Sequence, residues 1–178
     1  HFRPASFWVE LIRREKLACR SCEGEVVVAP AANKVVDGGM AGPGLVADLL
    51  IGKFRDHLPL NRQIKRHARL GVKLPSSTVG DWIGQGADLL EPLANLEADK
   101  VLKAFLLQTD DTGLKVLDRK TPGNVKRGYL WAHVGDGRHC YVLYTPSKEY
   151  AKQPNPALEF LKRREGYIQA DAYPGYDT

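Results

Sequence analysis

The stretch Ala104-Phe105-Leu106-Leu107-Gln108-Thr109-Asp110-Asp111 decides how this chain is read. An apolar run this short between polar flanks reads as a strand buried on both faces, with the carboxylates falling where the apolar character stops. A second run of the same kind, Tyr167-Ile168-Gln169-Ala170-Asp171, also closes on an aspartate. Between the two, residues 129–134 and 139–144 read as strands around Gly135-Asp136-Gly137, a hairpin signal. Asn155 then caps a helix that Pro156 opens, with Ala157, Leu158 and Leu161 on its buried side and Gly166 as its stop. A basic connection, residues 115–127, separates the first two strands, and its start extends the first strand through Leu117.

The order strand, strand, strand, helix, strand predicts an α/β fold with a mixed sheet. The crossover helix returns the last strand parallel to the first. Adjacent strands lie about 4.8 Å apart, so Asp110 and Asp171 at matching C-terminal ends can share a divalent cation. This is a ribonuclease-H-like arrangement, and parallel strand ends are where open α/β sheets usually place ligands. Hard Mg²⁺ or Mn²⁺ takes oxygen ligands and keeps several waters, so few carboxylates suffice to hold it. The same spacing also suits Asp110 and Asp111 opening a turn and Asp171 as a solvated strand-end residue.

Upstream the pattern is helical. Leu45, Leu49, Leu50 and Phe54 recur at helical spacing after Pro43-Gly44, and residues 60–70 form a second helix with Leu60 and Ile64 inward. Its other side carries Arg62, Lys65, Arg66 and Arg69, and Gly71 is the left-handed stop. A new helix begins at Ser76-Ser77-Thr78, good N-cap residues. A third helical pattern, Leu89, Leu90, Leu93, Leu96 and Val101, contains Glu91-Pro92, which predicts a kink or restart.

Helix, short glycine turn and second helix make the outline of a helix-turn-helix. In that reading Ser76, Ser77 and Thr78 approach bases or phosphates, while the basic residues at 62, 65, 66 and 69 grip the DNA backbone. Helical hairpins with a basic face are common, and Asp81 counts against deep insertion into a groove. Nearer the start, Cys19-Arg20-Ser21-Cys22 has the spacing of one zinc-ribbon knuckle, but a tetrahedral Zn²⁺ site needs four ligands and no second pair follows at ribbon spacing.

Formal charge is +5, unevenly spread. Residues 1–75 hold 13 Lys and Arg against 7 acids, residues 76–112 hold 2 against 7, and residues 113–178 hold 11 against 7. Basic segments flanking an acidic one suit a polyanion-binding protein with a cation-binding centre. Three cysteines do not make a disulfide framework, which points to a reducing cytoplasm. No apolar run reaches the ~20 residues of a membrane helix, and no secretion signal is visible. The chain starts at His1 and reads as a fragment.

These residues resemble the insertion-sequence sixty-six family of bacterial DDE transposases over nearly the whole chain. The most specific segment is Gly38-Gly39-Met40-Ala41-Gly42-Pro43-Gly44-Leu45-Val46-Ala47, continuing through Lys53, Asp56-His57-Leu58-Pro59-Leu60 and Arg62-Gln63. The family's Asp-Glu-Thr-Pro is similar to Asp110-Asp111-Thr112-Gly113, with Asp111 and Gly113 in place of Glu and Pro. Gly128-Tyr129-Leu130-Trp131 is similar to its second strand, and its Leu-Gln-x-Asp-Gly-Tyr-x-Gly-Tyr is similar to residues 168–176.

The resemblance implies three regions: 1–37, part of a zinc-binding region with Cys19 and Cys22 as its second ligand pair; 38–99, a helical DNA-binding region; and 100–178, the first part of a truncated ribonuclease-H-like catalytic domain. It makes Asp110 and Asp171 two of the three catalytic carboxylates, with the third, a glutamate on a later helix, beyond Thr178. Residues 1–178 alone are therefore expected not to transpose DNA. In the complete protein, water and then the freed 3′-hydroxyl attack phosphodiesters at a Mg²⁺ or Mn²⁺ pair, on double-stranded DNA of terminal repeats and target. The implied assembly is a homo-oligomer at the cytoplasmic nucleoid, without membrane contact. A DNA-binding remnant without catalysis, or a nuclease or resolvase on the same scaffold, are the competing expectations.

Overall fold

The computed structural model describes residues 5–21, 24–148 and 155–171. It divides into two units, His1–Leu90 and Glu91–Thr178. The expected boundary at 99/100 falls later, within the same helix.

In the first unit, a two-stranded antiparallel ribbon, β1 (Lys16–Leu17) and β2 (Val27–Val28), precedes the helices. Helix α1 (Pro43–Phe54) starts with proline at its first turn, where the missing N–H is no loss. Its buried stripe is Val46, Leu49 and Gly52. Phe54, expected on the core face, is 61% exposed instead, because that stripe turns the helix end outward.

Helix α2 (Leu60–Arg69) packs Leu60 and Ile64 half-buried against the core, while Gln63 and His67 are the fully buried residues. Gln63 Nε2 donates to the carbonyls of Leu49 (3.4 Å) and Leu58 (3.1 Å). That close approach needs Gly52: a Cβ there would lie 2.8 Å from Gln63 Oε1. Gly71, at φ +88°, ends the helix, with Val72 N–H donating to His67 O and Gly71 N–H to Ala68 O. That is the six-to-one and five-to-two pair of a left-handed C-cap.

Helix α3 (Ser76–Lys103) is one helix of 28 residues rather than two, with Pro92 inside it. Proline withdraws one backbone donor, and the hydrogen bonds on either side carry the helix through. Its start contributes Val79, Trp82 and Ile83 to the core of the first unit, and its end contributes Ala98 and Val101 to the core of the second.

The second unit holds a four-stranded sheet in the order β5-β4-β3-β6. Strand β3 (Leu106–Leu117) pairs antiparallel with β4 (Val125–Gly135), which pairs antiparallel with β5 (His139–Thr145). After helix α4 (Pro156–Lys162), β6 (Tyr167–Gln169) lies parallel to β3. Asn155 caps α4 by accepting from Ala157 N–H, as the sequence predicts.

At the β4–β5 turn Asp136, at φ +50°, accepts the backbone N–H groups of Leu106 and Phe105, both at 3.0 Å. Those bonds hold its carboxyl below the usual aspartate range and pin the start of β3. Leu107, Leu158, Phe160 and Leu161 form the core of this unit with Ala98 and Val101. The expectation that β3 is buried on both faces is corrected. Along its first half, residues 107 and 109 are buried and residues 108 and 110 are exposed, so one face only is covered among the described residues. No helix of the described residues is long and apolar enough to cross a membrane.

Candidate functional site

Parallel pairing of β3 with β6 sets Leu106 beside Tyr167, Leu107 beside Ile168 and Gln108 beside Gln169. The last pair meets through its side chains, Gln108 Nε2 donating to Gln169 Oε1 at 3.0 Å. Side chains alternate along a strand, so Asp110 lies on the face of Gln108. Asp171 stands two residues beyond Gln169, just past the end of β6, and both aspartates are exposed. The pairing of β3 with β6 ends at Gln108 and Gln169, two residues before each aspartate.

Asp110 Oδ1 accepts the N–H of Asp111 at 2.8 Å, which orients the carboxylate and leaves its second oxygen open. Its partner on β4 is Ala132, too small to cover it. Among the described residues no group of three or more His, Cys, Asp or Glu is arranged to hold a metal. A pair of exposed carboxylates fits Mg²⁺ or Mn²⁺, which keep most of their waters, and would not make a dehydrated all-protein cage.

Asp111, next in the chain, points to the opposite face. Its side chain is only 6% exposed and pairs with Lys148 Nζ at 2.5 Å. The same ammonium lies over the rings of Tyr129 (5.7 Å) and Trp131 (5.9 Å). Trp131, fully buried, donates Nε1–H to Thr145 Oγ1 at 2.8 Å. On the same inner face Thr109 Oγ1 bonds His133 Nδ1 at 2.9 Å. The His133 ring packs 4.8 Å from that of Phe160.

Burial pushes the His133 pKa down to about 4. Unfolded, the ring titrates near 6.5, so the folded state holds its full stability above that pH and loses it as pH falls from about 6.5 toward 4. Denaturant titrations are expected to show about 2 kcal/mol less stability at pH 5 than at pH 7 from this group. The double variant Thr109→Val/His133→Leu should lose that part of the dependence. A wild-type loss unchanged in the double variant would assign it to other groups.

The expected DNA-binding residues divide. Arg62, Lys65 and Arg69 are exposed on α2. Arg66 is tied to Asp48 Oδ2 at 2.5 Å, and His67 Nε2 lies 3.2 Å from the same oxygen, so Arg66 links α1 to α2. A shallow cavity of about 280 Å³ opens among Leu58, Arg62, Lys65 and Arg69. Ser76 and Ser77 are exposed at the start of α3, Thr78 is half-buried, and Asp81 is exposed beside them.

Cys19 is exposed at the turn between β1 and β2, its Sγ 3.2 Å from Ser21 Oγ. Cys22 lies outside the described residues, as do positions 172–176. A larger cavity of about 560 Å³ lies at the opposite end of the strands, between Phe105 and Tyr167. There Arg164 is engaged by the carbonyls of Leu102 and Phe105, and the cavity lies away from the carboxylates.

The Asp111–Lys148 pair escapes sequence reading, since one aspartate of a doublet looks like the other. The available signal is strand alternation, which gives adjacent residues opposite faces. Gln63 and His67 escaped for a similar reason: polar residues on a basic helix read as surface.

The profile of one protein family, described as Transposase IS66 family, matches residues 38–178. Three proteins of Sinorhizobium fredii, each described as uncharacterized, are similar over nearly the whole chain. Protein y4jD is 34% identical over 98% of this chain and 35% of its own length, and y4hP is 32% identical over 98% and 32%. Protein y4qI is 30% identical over 97% and 32%. The chain thus spans about a third of the length of the curated relatives it matches. No solved structure matches.

Proposed function

Because this chain belongs to the transposase IS66 family, we propose that it carries DNA recognition and part of the metal-dependent strand-transfer centre of a DDE transposase. The observation that carries this reading is the parallel β3–β6 pairing, whose Gln108–Gln169 contact lies two residues before Asp110 within β3 and two before Asp171, which follows β6. Order and pairing of the strands support a ribonuclease-H-like sheet, with Asp110 inside β3, which runs on to Leu117, rather than at a strand end, and Asp171 just past the end of β6.

Asp110 and Asp171 would hold Mg²⁺ or Mn²⁺. When bound, such ions activate the attacking oxygen and neutralise the leaving one. Asp110 is pre-oriented for a ligand by the Asp111 N–H, and the small Ala132 beside it leaves room for a phosphodiester. Helices α2 and α3 would act as a helix-turn-helix on double-stranded DNA of terminal repeats and target, with Arg62, Lys65 and Arg69 on phosphates and Ser76, Ser77 and Thr78 at the groove. Cys19 and Cys22 would supply half of a Zn²⁺ site. The active assembly would be a homo-oligomer.

Mn²⁺ titration followed by water proton relaxation tests the site directly. Wild-type chain is expected to bind Mn²⁺ in the millimolar range, while Asp171→Asn binds at least about tenfold more weakly, since removing one of two anionic ligands leaves a single carboxylate. Equal binding by the two proteins would remove Asp171 from the metal site.

A further inference from the structure

Among the described residues, the sheet narrows to two strands beyond the Gly113–Tyr129 pair. Strand β3 runs to Leu117 and β4 begins at Val125, whereas β5 reaches only Tyr129 and β6 only Gln108. Among the described residues, the outer ends of β3 and β4 therefore form a two-stranded ribbon, and Leu117 near its tip is 87% exposed. Residues 113–128 hold five cations and one acid, set against a net charge of +5 for the whole chain.

The one acid is occupied within the ribbon. Asp118 accepts the N–H of Lys120 at 3.0 Å, the hydroxyl of Thr121 at 3.2 Å and Lys126 Nζ at 3.1 Å, closing the tip around Gly123 and Asn124. Lys115, Arg119, Lys120 and Arg127 are exposed and make no ion pair among the described residues.

Lys115 and Arg127 are direct cross-strand partners. Like charges in that position oppose folding of the ribbon, and lysines that merely blunt a sheet edge gain nothing from facing a second cation. The arrangement is nevertheless built in. Gly113 has no Cβ where one would meet Arg127 Nε at 2.7 Å, and the guanidinium lies 5.5 Å over the Tyr129 ring. A polyanion laid along the ribbon relieves the repulsion. Lys115 is five residues beyond Asp110, about 17 Å along the same strand, and strand alternation puts it on the face of Asp111 rather than that of Asp110.

We propose that this ribbon is a second DNA contact, separate from the helices, which grips the phosphate backbone of duplex DNA through Lys115 and Arg127 and the tip residues Arg119 and Lys120. The proposal rests on the transposase reading. Phosphate contacts add affinity and salt dependence without sequence preference.

The test is fluorescence anisotropy of the 178-residue chain with two unrelated duplexes of about 30 base pairs across a salt series. One variant carries Lys115→Gln, Arg119→Gln, Lys120→Gln and Arg127→Gln, and a comparator carries Arg62→Gln, Lys65→Gln and Arg69→Gln. The ribbon variant is expected to keep its far-UV circular dichroism, because the altered side chains are exposed. Its log–log salt slope should become shallower by about 3 to 4, and its affinity should fall at least about a hundredfold at low salt, equally on both duplexes.

A slope unchanged by the ribbon substitutions while the comparator's becomes shallower overturns the ribbon contact and leaves the transposase reading standing. A loss confined to one duplex overturns the phosphate assignment. Absence of salt-dependent duplex binding by the wild-type chain overturns both.

Discussion

Asp110→Asn is expected to reduce metal-dependent strand cleavage at least about a thousandfold in a cleavage-competent protein carrying these residues, with duplex binding unchanged. The amide keeps the shape and one hydrogen-bond acceptor of the side chain but removes the negative charge that offsets a divalent ion. Mn²⁺ affinity of the chain should fall in parallel.

The neighbouring Asp111→Asn is the informative contrast. Its side chain faces inward against Lys148, so its neutralisation leaves a half-buried ammonium without its counter-charge. Loss of roughly 1–3 kcal/mol of stability is expected, with little change in metal affinity. Cleavage that survives Asp110→Asn but disappears with Asp111→Asn in a fully folded protein would reverse the assignment of the two residues.

Trp131→Ala is the substitution expected to damage the second unit most. The indole is fully buried on the inner face of β4 and sits opposite Asp111 in the β3–β4 register. Its removal leaves a large cavity and strips Thr145, itself 1% exposed, of a hydrogen-bond donor. Truncation of a buried tryptophan costs about 3–5 kcal/mol. Chemical denaturation should show that loss, while Trp131→Phe, which fills most of the space and lacks only the N–H, should cost about 1–2 kcal/mol. Equal losses for the two variants would place the stabilisation in the hydrogen bond rather than in packing.

These contrasts show where reading the chain in one dimension reaches its limit. Positions of α1, α2, β5 and α4 were legible because helical spacing, Pro43, Asn155 with Pro156, and the Gly135-Asp136-Gly137 turn are local signals that need no distant partner. A restart at Pro92 is ruled out only by the structure, where one helix runs through it and residues before and after it enter different cores. Arg66 looked like its neighbours on α2 and is held by Asp48 from another helix, a pairing that no spacing on α2 announces.

By itself the amino-acid order determined the kinds of elements, their succession and the two aspartates that close apolar runs. Periodicity and end signals are properties of a few consecutive residues, and the pattern of motifs suffices to recognise the family. Only tertiary structure decided which neighbour of the Asp110-Asp111 doublet faces outward, in which register β6 lies beside β3, and that the basic connection is a projecting ribbon with opposed cations. Strand register is set by contacts between residues about sixty positions apart, such as Gln108 with Gln169, and a shift of one residue would exchange the two faces of the sheet.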